Sequence, residues 1–141
     1  MITGKQLSLF KGKRQRGVGP PPPLEFQLHC VLADICRRWM NPRWRFTHLP
    51  FGEKRDVATG ARLKRLGVTP GWPDFIFVGP GSQVFWLELK RPRSGRLSEA
   101  QGDIIGHLVA CGFAVLVTTS IDDAVETLKQ AGILRACVEG Q

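Results

Sequence analysis

Residues 71–90 read Gly71-Trp72-Pro73-Asp74-Phe75-Ile76-Phe77-Val78-Gly79-Pro80-Gly81-Ser82-Gln83-Val84-Phe85-Trp86-Leu87-Glu88-Leu89-Lys90. Gly71-Trp72-Pro73 leads into a short strand, Asp74 to Val78. Gly79-Pro80-Gly81-Ser82 turns the chain. Gln83 to Lys90 returns as a second, apolar strand, and the pair reads as a hairpin. Side chains alternate faces along a strand, so Glu88 and Lys90 share a face with Val84 and Trp86. Thirteen residues separate Asp74 from Glu88. A hairpin of that length brings Asp74 near the same edge, where two carboxylates and one ammonium converge.

That trio suits phosphodiester hydrolysis. Hard divalent cations prefer carboxylate and carbonyl oxygens. Asp74 and Glu88 can hold such an ion, and the Leu89 carbonyl can complete the set. The ion acidifies a water and neutralises charge on the phosphate. Lys90 can orient that water and stabilise the crowded phosphate. The plainer alternative is a surface ion pair between Glu88 and Lys90 on an edge strand.

Working outward, the stretch before the hairpin holds an arm, a helix, a strand and a second helix. Residues 1–23 carry Lys5, Lys11, Lys13, Arg14 and Arg16, no acid, and the stiff run Pro20 to Pro23. They read as a flexible basic arm with no core of its own. Leu24, Leu28, Leu32, Ile35 and Trp39 fall on one helical stripe, and Asn41-Pro42 ends that helix. Arg43-Trp44-Arg45-Phe46 alternates charge and ring, which predicts a half-buried strand with Trp44 and Phe46 in the core. Asp56 caps a helix over 57–66, closed by Gly67.

After the hairpin, Ser98 opens a helix to about Cys111, with Gly112 as its stop. Phe113 to Thr119 is an apolar strand. Ser120 caps a helix over 121–131, and Ile133 to Val138 reads as a final short strand. Strand–helix–strand order predicts a partly parallel sheet flanked by helices.

The chain has 141 residues, 20 Lys+Arg and 12 Asp+Glu, and a formal charge of +8. One domain is expected, residues 24–141. Residues 1–100 carry +11 and residues 101–141 carry −3. A localised positive field draws polyanions, nucleic acid above all. The apolar fraction of 43% excludes global disorder. No apolar run approaches the ~18–20 residues of a membrane span, and no secretory segment is apparent. Cys30, Cys36, Cys111 and Cys137 lack the close spacing of zinc ligands. The first three sit at apolar-periodic positions and read as buried thiols, which fits a cytoplasmic setting. His29, His48 and His107 also lack ligand spacing and are expected to be chemically idle.

Pro73-Asp74, a spacer, then Glu88-Leu89-Lys90 resembles the PD-(D/E)XK nuclease signature. Arg62-Leu63-Lys64-Arg65-Leu66-Gly67, Gly71-Trp72-Pro73-Asp74, the Glu-Leu-Lys strand and Leu97-Ser98-Glu99-Ala100-Gln101, in that order, resemble one branch of it. This is the VRR-NUC (virus-type replication-repair nuclease) domain. The resemblance covers about residues 24–120. It implies an α/β fold with a restriction-endonuclease-like core and a mixed β-sheet flanked by helices. It also implies a Mg²⁺- or Mn²⁺-dependent endonuclease cutting branched DNA, Holliday junction or flap-like, and a homodimer. The setting would be a bacterial cell or a phage-infected host. The family's metal-binding acids fall on Asp74 and Glu88, its lysine on Lys90, its first-helix acid on Glu25 and its later glutamine on Gln101. Phe51-Gly52 stands where the family has Asn-Gly.

Glu25 lies about 50° from the centre of its helix's apolar stripe. It reads either as a partner of a metal or its water, or as an N-terminal acid favoured by the helix dipole. Gln101 can close a capping box with Ser98. It also shares a face with Ile104, Ile105 and Leu108, where it can hold a metal water or a phosphate. Arg55, Arg62 and Arg65 before the site and Arg91, Arg93 and Arg96 after it suit phosphate contacts; the alternative is solvated charge.

Gln6-Leu7-Ser8-Leu9-Phe10 resembles the bacterial sliding-clamp-binding pentapeptide. Leu7, Leu9 and Phe10 offer apolar anchors and Gln6 an amide that sets register; the alternative is folding back onto the domain. The rivals to an enzyme are a non-catalytic DNA-binding module and a clamp-associated adaptor on the same scaffold.

Overall fold

The structure is a computed structural model that describes residues 24–51 and 56–136. In chain order it contains α1 (Glu25–Trp39), β1 (Arg45–His48), α2 (Val57–Arg65) and β2 (Phe75–Gly79). Then follow β3 (Gln83–Leu89), α3 (Glu99–Ala110), β4 (Ala114–Thr118) and α4 (Ile121–Gln130). The four strands form one sheet in the order β1-β2-β3-β4. β2 is antiparallel to β1 and β3, whereas β3 and β4 are parallel. Parallel neighbours need a crossover, and α3 supplies it. The chain thus has the mixed sheet flanked by helices that its strand–helix–strand order predicts.

The hairpin forms as its pattern dictates. Gly81 and Ser82 take left-handed φ values of 66° and 60° at the turn. Phe75 then pairs with Leu87 and Phe77 with Phe85. These inward-facing residues are buried, and so is Leu89. α1 adds Leu28, Leu32 and Cys36, and α4 adds Ala124 and Leu128, to the same core. Each large apolar side chain so buried contributes about 1.5–3 kcal/mol. The alternate residues of β3, Trp86 and Glu88, face the other way, toward α3, whose Ile105 and Leu108 are also buried. The sheet end holding Asp74 and Glu88 therefore lies between α1 and α3.

Helix starts follow their cap residues. Asp56 accepts from the Thr59 N–H at 2.7 Å, and Ser120 from the Asp123 N–H at 3.1 Å. Trp44 is buried and Phe46 half-buried, while Arg43 and Arg45 face solvent. No described helix is long and apolar enough to cross a membrane.

Three expectations are corrected. Cys30 and Cys111 are exposed, and Cys36 alone of the three is buried. The buried line of α1 runs Leu28-Leu32-Cys36, and Cys30 lies about 200° around the helix from Leu28. Cys111 is the C-cap of α3, past its last buried turn. No fifth strand forms among the described residues: Leu134 makes an isolated bridge to Met40. Met40 stands between the end of α1 at Trp39 and Pro42, which lacks an N–H, so the pairing goes no further. Leu24 is the N-cap of α1 and is exposed rather than part of the buried stripe.

Candidate active site

Asp74 sits one step before β2, and the hairpin register Phe75↔Leu87 carries on to place it opposite Glu88. Pro73 ahead of it is fully buried. Opposed residues of an antiparallel pair share a face, so the two carboxylates meet. Their backbones lock the pair. The Asp74 N–H donates to Glu88 Oε2 at 3.1 Å. The Leu89 N–H donates to Asp74 Oδ2 at 2.8 Å. Lys90, just past the strand, hangs on β4 through its N–H to the Thr118 carbonyl at 2.9 Å.

Glu88 is fully buried. Its Oε1 accepts from Lys90 Nζ at 2.8 Å and Gln101 Nε2 at 2.7 Å. Burial, and then the nearby Asp74 charge, push its pKa up to about 7, against the pull of Lys90. A buried acid facing another acid is relieved by a cation. The oxygen donors Asp74, Glu88 and the Leu89 carbonyl are the set a hard divalent ion takes. The residues present thus fit Mg²⁺ or Mn²⁺.

Gln101 closes the expected capping box and also bonds Glu88. Its Oε1 accepts from the Ser98 N–H at 2.9 Å, and its own N–H donates to Ser98 Oγ at 3.1 Å. The remaining amide N–H₂ reaches Glu88. Gly71 makes this approach feasible. A Cβ there would lie 2.3 Å from the Ala100 carbonyl oxygen, and its φ is +99°. The segment leading to Asp74 and the start of α3 therefore touch backbone to backbone.

Glu25 is half-buried and lines a cleft of about 740 Å³ that also includes Asp74, His29 and His48. No direct bond joins it to Asp74 or Glu88 in the geometry above, but its charge reaches His29. Arg91, Arg93 and Arg96 lie in the loop directly after Lys90; the last two are exposed. Arg91 is half-buried, and its Nε is shielded without a hydrogen-bond partner. The Gly95 backbone folds this loop onto Lys90: an added Cβ would lie 2.8 Å from the Lys90 Cβ. Arg62 and Arg65 are exposed on the last turn of α2, a helix with no buried residue. Arg55, Gln6, Leu7, Leu9 and Phe10 lie outside the described residues.

Two residues were missed by sequence spacing alone, His29 and His48. His29 follows Glu25 by one turn of α1. Its Nε2 is 3.2 Å from Asp74 Oδ2 and 3.3 Å from the Leu89 carbonyl oxygen. Burial lowers its pKa, but Asp74, the Leu89 carbonyl and Glu25 outweigh that and the net shift is upward. His48 ends β1 opposite Phe75, with its ring centroid 4.9 Å from that of His29. Ligand atoms of His29, His48 and Asp74 lie within 4.8 Å of one another. The available signal was their placement, one turn past Glu25 and at the end of the strand pairing with β2. His107 stays apart, beside Cys111 on an exposed surface.

No protein-family model and no curated protein matches the chain. The solved structures similar to it include two VRR_NUC domains. One, described as a "VRR_NUC domain protein", superposes with a TM-score of 0.64 at 22% identity, covering 78% of this chain and 88% of its own. The other, "VRR_NUC domain", gives 0.49 at 14% identity, covering 75% and 94%. With its four-stranded mixed sheet and flanking helices, the chain has the fold of the first of these, a VRR_NUC domain.

Proposed function

We propose that the protein is a divalent-metal-dependent DNA endonuclease of the VRR-NUC type, acting on junctions or flaps. The observation that supports this most is the interlocked Asp74–Glu88 pair beside the Leu89 carbonyl, with Lys90 and Gln101 on Glu88. Asp74, Glu88 and the Leu89 carbonyl would hold Mg²⁺ or Mn²⁺, with Glu25 in the cleft that Asp74 also lines. A bound ion supplies charge neutralisation on the phosphate and a more acidic water.

The chain's own groups do the rest. An ammonium has three donors; Lys90 uses one on Glu88 and keeps two for the attacking water and a phosphate oxygen. Gln101 fixes the Glu88 carboxylate so that its oxygens keep one orientation. Arg62, Arg65, Arg91, Arg93 and Arg96 would grip the backbone without reading sequence. A homodimer would set two such sites on paired strands of a junction. The Gln6–Phe10 peptide would tether the enzyme to a sliding clamp in a bacterial cytoplasm.

The test uses labelled four-way, flap and linear DNA with wild type and Asp74→Ala, with and without Mn²⁺. Mn²⁺-dependent cutting of branched substrates by wild type alone is expected. Cutting by neither protein overturns the enzyme reading, and equal cutting by both acquits the site.

A further inference from the structure

We infer that His29 is a nitrogen ligand of the metal at this site, which makes it a mixed nitrogen–oxygen centre; the inference rests on the nuclease reading above. Three observations carry it.

First, a single ring nitrogen touches both Asp74 Oδ2 and the Leu89 carbonyl oxygen, the very oxygens that would hold the ion. Second, the spacing suits shared ligation. Ligands about 2.1 Å from an octahedral ion stand about 3.0 Å apart when adjacent, and these contacts are 3.2 and 3.3 Å. One ion can therefore sit against the ring nitrogen and both oxygens without the donors moving apart.

Third, the ring is held for this task. His29 projects from α1 one turn after Glu25. It meets Phe75 edge-on at 5.7 Å and His48 at 4.9 Å. His48 belongs to the same cluster of ligand atoms but serves here as a wall for the His29 ring. Both histidines, Glu25 and Asp74 line one cleft, so the centre is open to solvent and substrate on the α1 side.

Chemistry gives the consequence. Exchanging an oxygen donor for imidazole moves a site away from Mg²⁺ and toward first-row transition ions. Of the ions that carboxylate and carbonyl donors suit, Mg²⁺, Ca²⁺ and Mn²⁺, Mn²⁺ is the one from the first transition row, so this centre favours Mn²⁺ over Mg²⁺.

The experiment is pulsed electron paramagnetic resonance on the full chain loaded with Mn²⁺, free of DNA. Electron spin echo modulation from a directly bound ¹⁴N is expected in wild type. His29→Gln should bind Mn²⁺ without that modulation, and His48→Gln should keep it. In Mg²⁺ competition, His29→Gln should lose at least about tenfold of its preference for Mn²⁺. Mn²⁺ binding that depends on Asp74 but shows no ¹⁴N modulation overturns the inference and leaves the nuclease reading intact. Modulation lost only in His48→Gln overturns it too. No Mn²⁺ binding by wild type overturns both.

Discussion

Asp74 and Glu88 each hold the other's carboxylate with a main-chain N–H: Asp74 through its own, and Glu88 through that of its neighbour Leu89. The side chains that would bind metal are therefore also the stitches that fasten the open end of the hairpin. Site and scaffold are coupled there, and conservative substitutions at the two positions should diverge.

Asp74→Asn should fold with stability near wild type and lose cleavage. Its amide oxygen can still accept from the Leu89 N–H. Glu88→Gln should cost about 1–3 kcal/mol. Glu88 takes donors on both oxygens, from Asp74 on one and from Lys90 and Gln101 on the other. An amide N–H₂ must face a donor whichever way it is flipped. Urea unfolding of both variants in EDTA checks the contrast.

The metal-free protein should lose stability as pH rises from about 5 to 8. Glu88 is raised from 4.5 to about 7 in the fold, and His29 is also raised from 6.5. Over that range the folded state binds more protons than the unfolded one, so the slope of unfolding free energy with pH is negative. Each tenfold gain in proton affinity is worth about 1.4 kcal/mol. Melting in EDTA at several pH values reads this out, and Mn²⁺ should stabilise more at pH 8 than at pH 6.

Gln101→Ala should remove the side-chain half of the capping box and a Glu88 partner together, while Ser98 still caps the residue 101 N–H, a loss of about 1–3 kcal/mol. Gln101→Glu can keep the capping box. It sets a third carboxylate against Glu88, so cleavage should fall even where helix content is retained. Circular dichroism beside a cleavage assay separates the two effects.

Gly71→Ala should behave as an active-site variant although Gly71 has no side chain. Its Cβ must push the Ala100 backbone away, and Gln101 moves with it. An unfolding loss of at least about 1–3 kcal/mol is expected from the strained φ alone, with cleavage reduced in the surviving folded protein. Tm and single-turnover rate together check it.

DNA binding by Asp74→Ala should weaken with salt by about 0.9 log unit per log unit of salt for each phosphate neutralised. Adding Arg93→Ala and Arg96→Ala should flatten that slope. A flat response in the unsubstituted background would remove the electrostatic contact surface.

Much of this architecture is legible in local signals. Ser98, Ser120 and Asp56 announce helices because a cap needs only its own next turn. Asp74, Glu88, Lys90 and Gln101 converge because one hairpin and one crossover carry all four. His29 escapes such a reading, since its partners Asp74 and Leu89 are 45 and 60 residues away. Only the packing of α1 against the sheet brings them together. Cys30 shows the limit of periodicity: an apolar residue of an amphipathic helix is exposed when it falls on the side opposite the buried line. Among the described residues the last strand is cut to a single bridge because its partner Met40 stands between the end of α1 and Pro42.

The register Phe75↔Leu87 has one more effect. A slip of one residue between β2 and β3 turns every side chain to the opposite face, and would send Glu88 into the apolar core and away from Asp74. A misthreaded copy would then assemble no centre at all. For a protein whose proposed chemistry cuts DNA, activity would be withheld from any molecule that has not folded correctly.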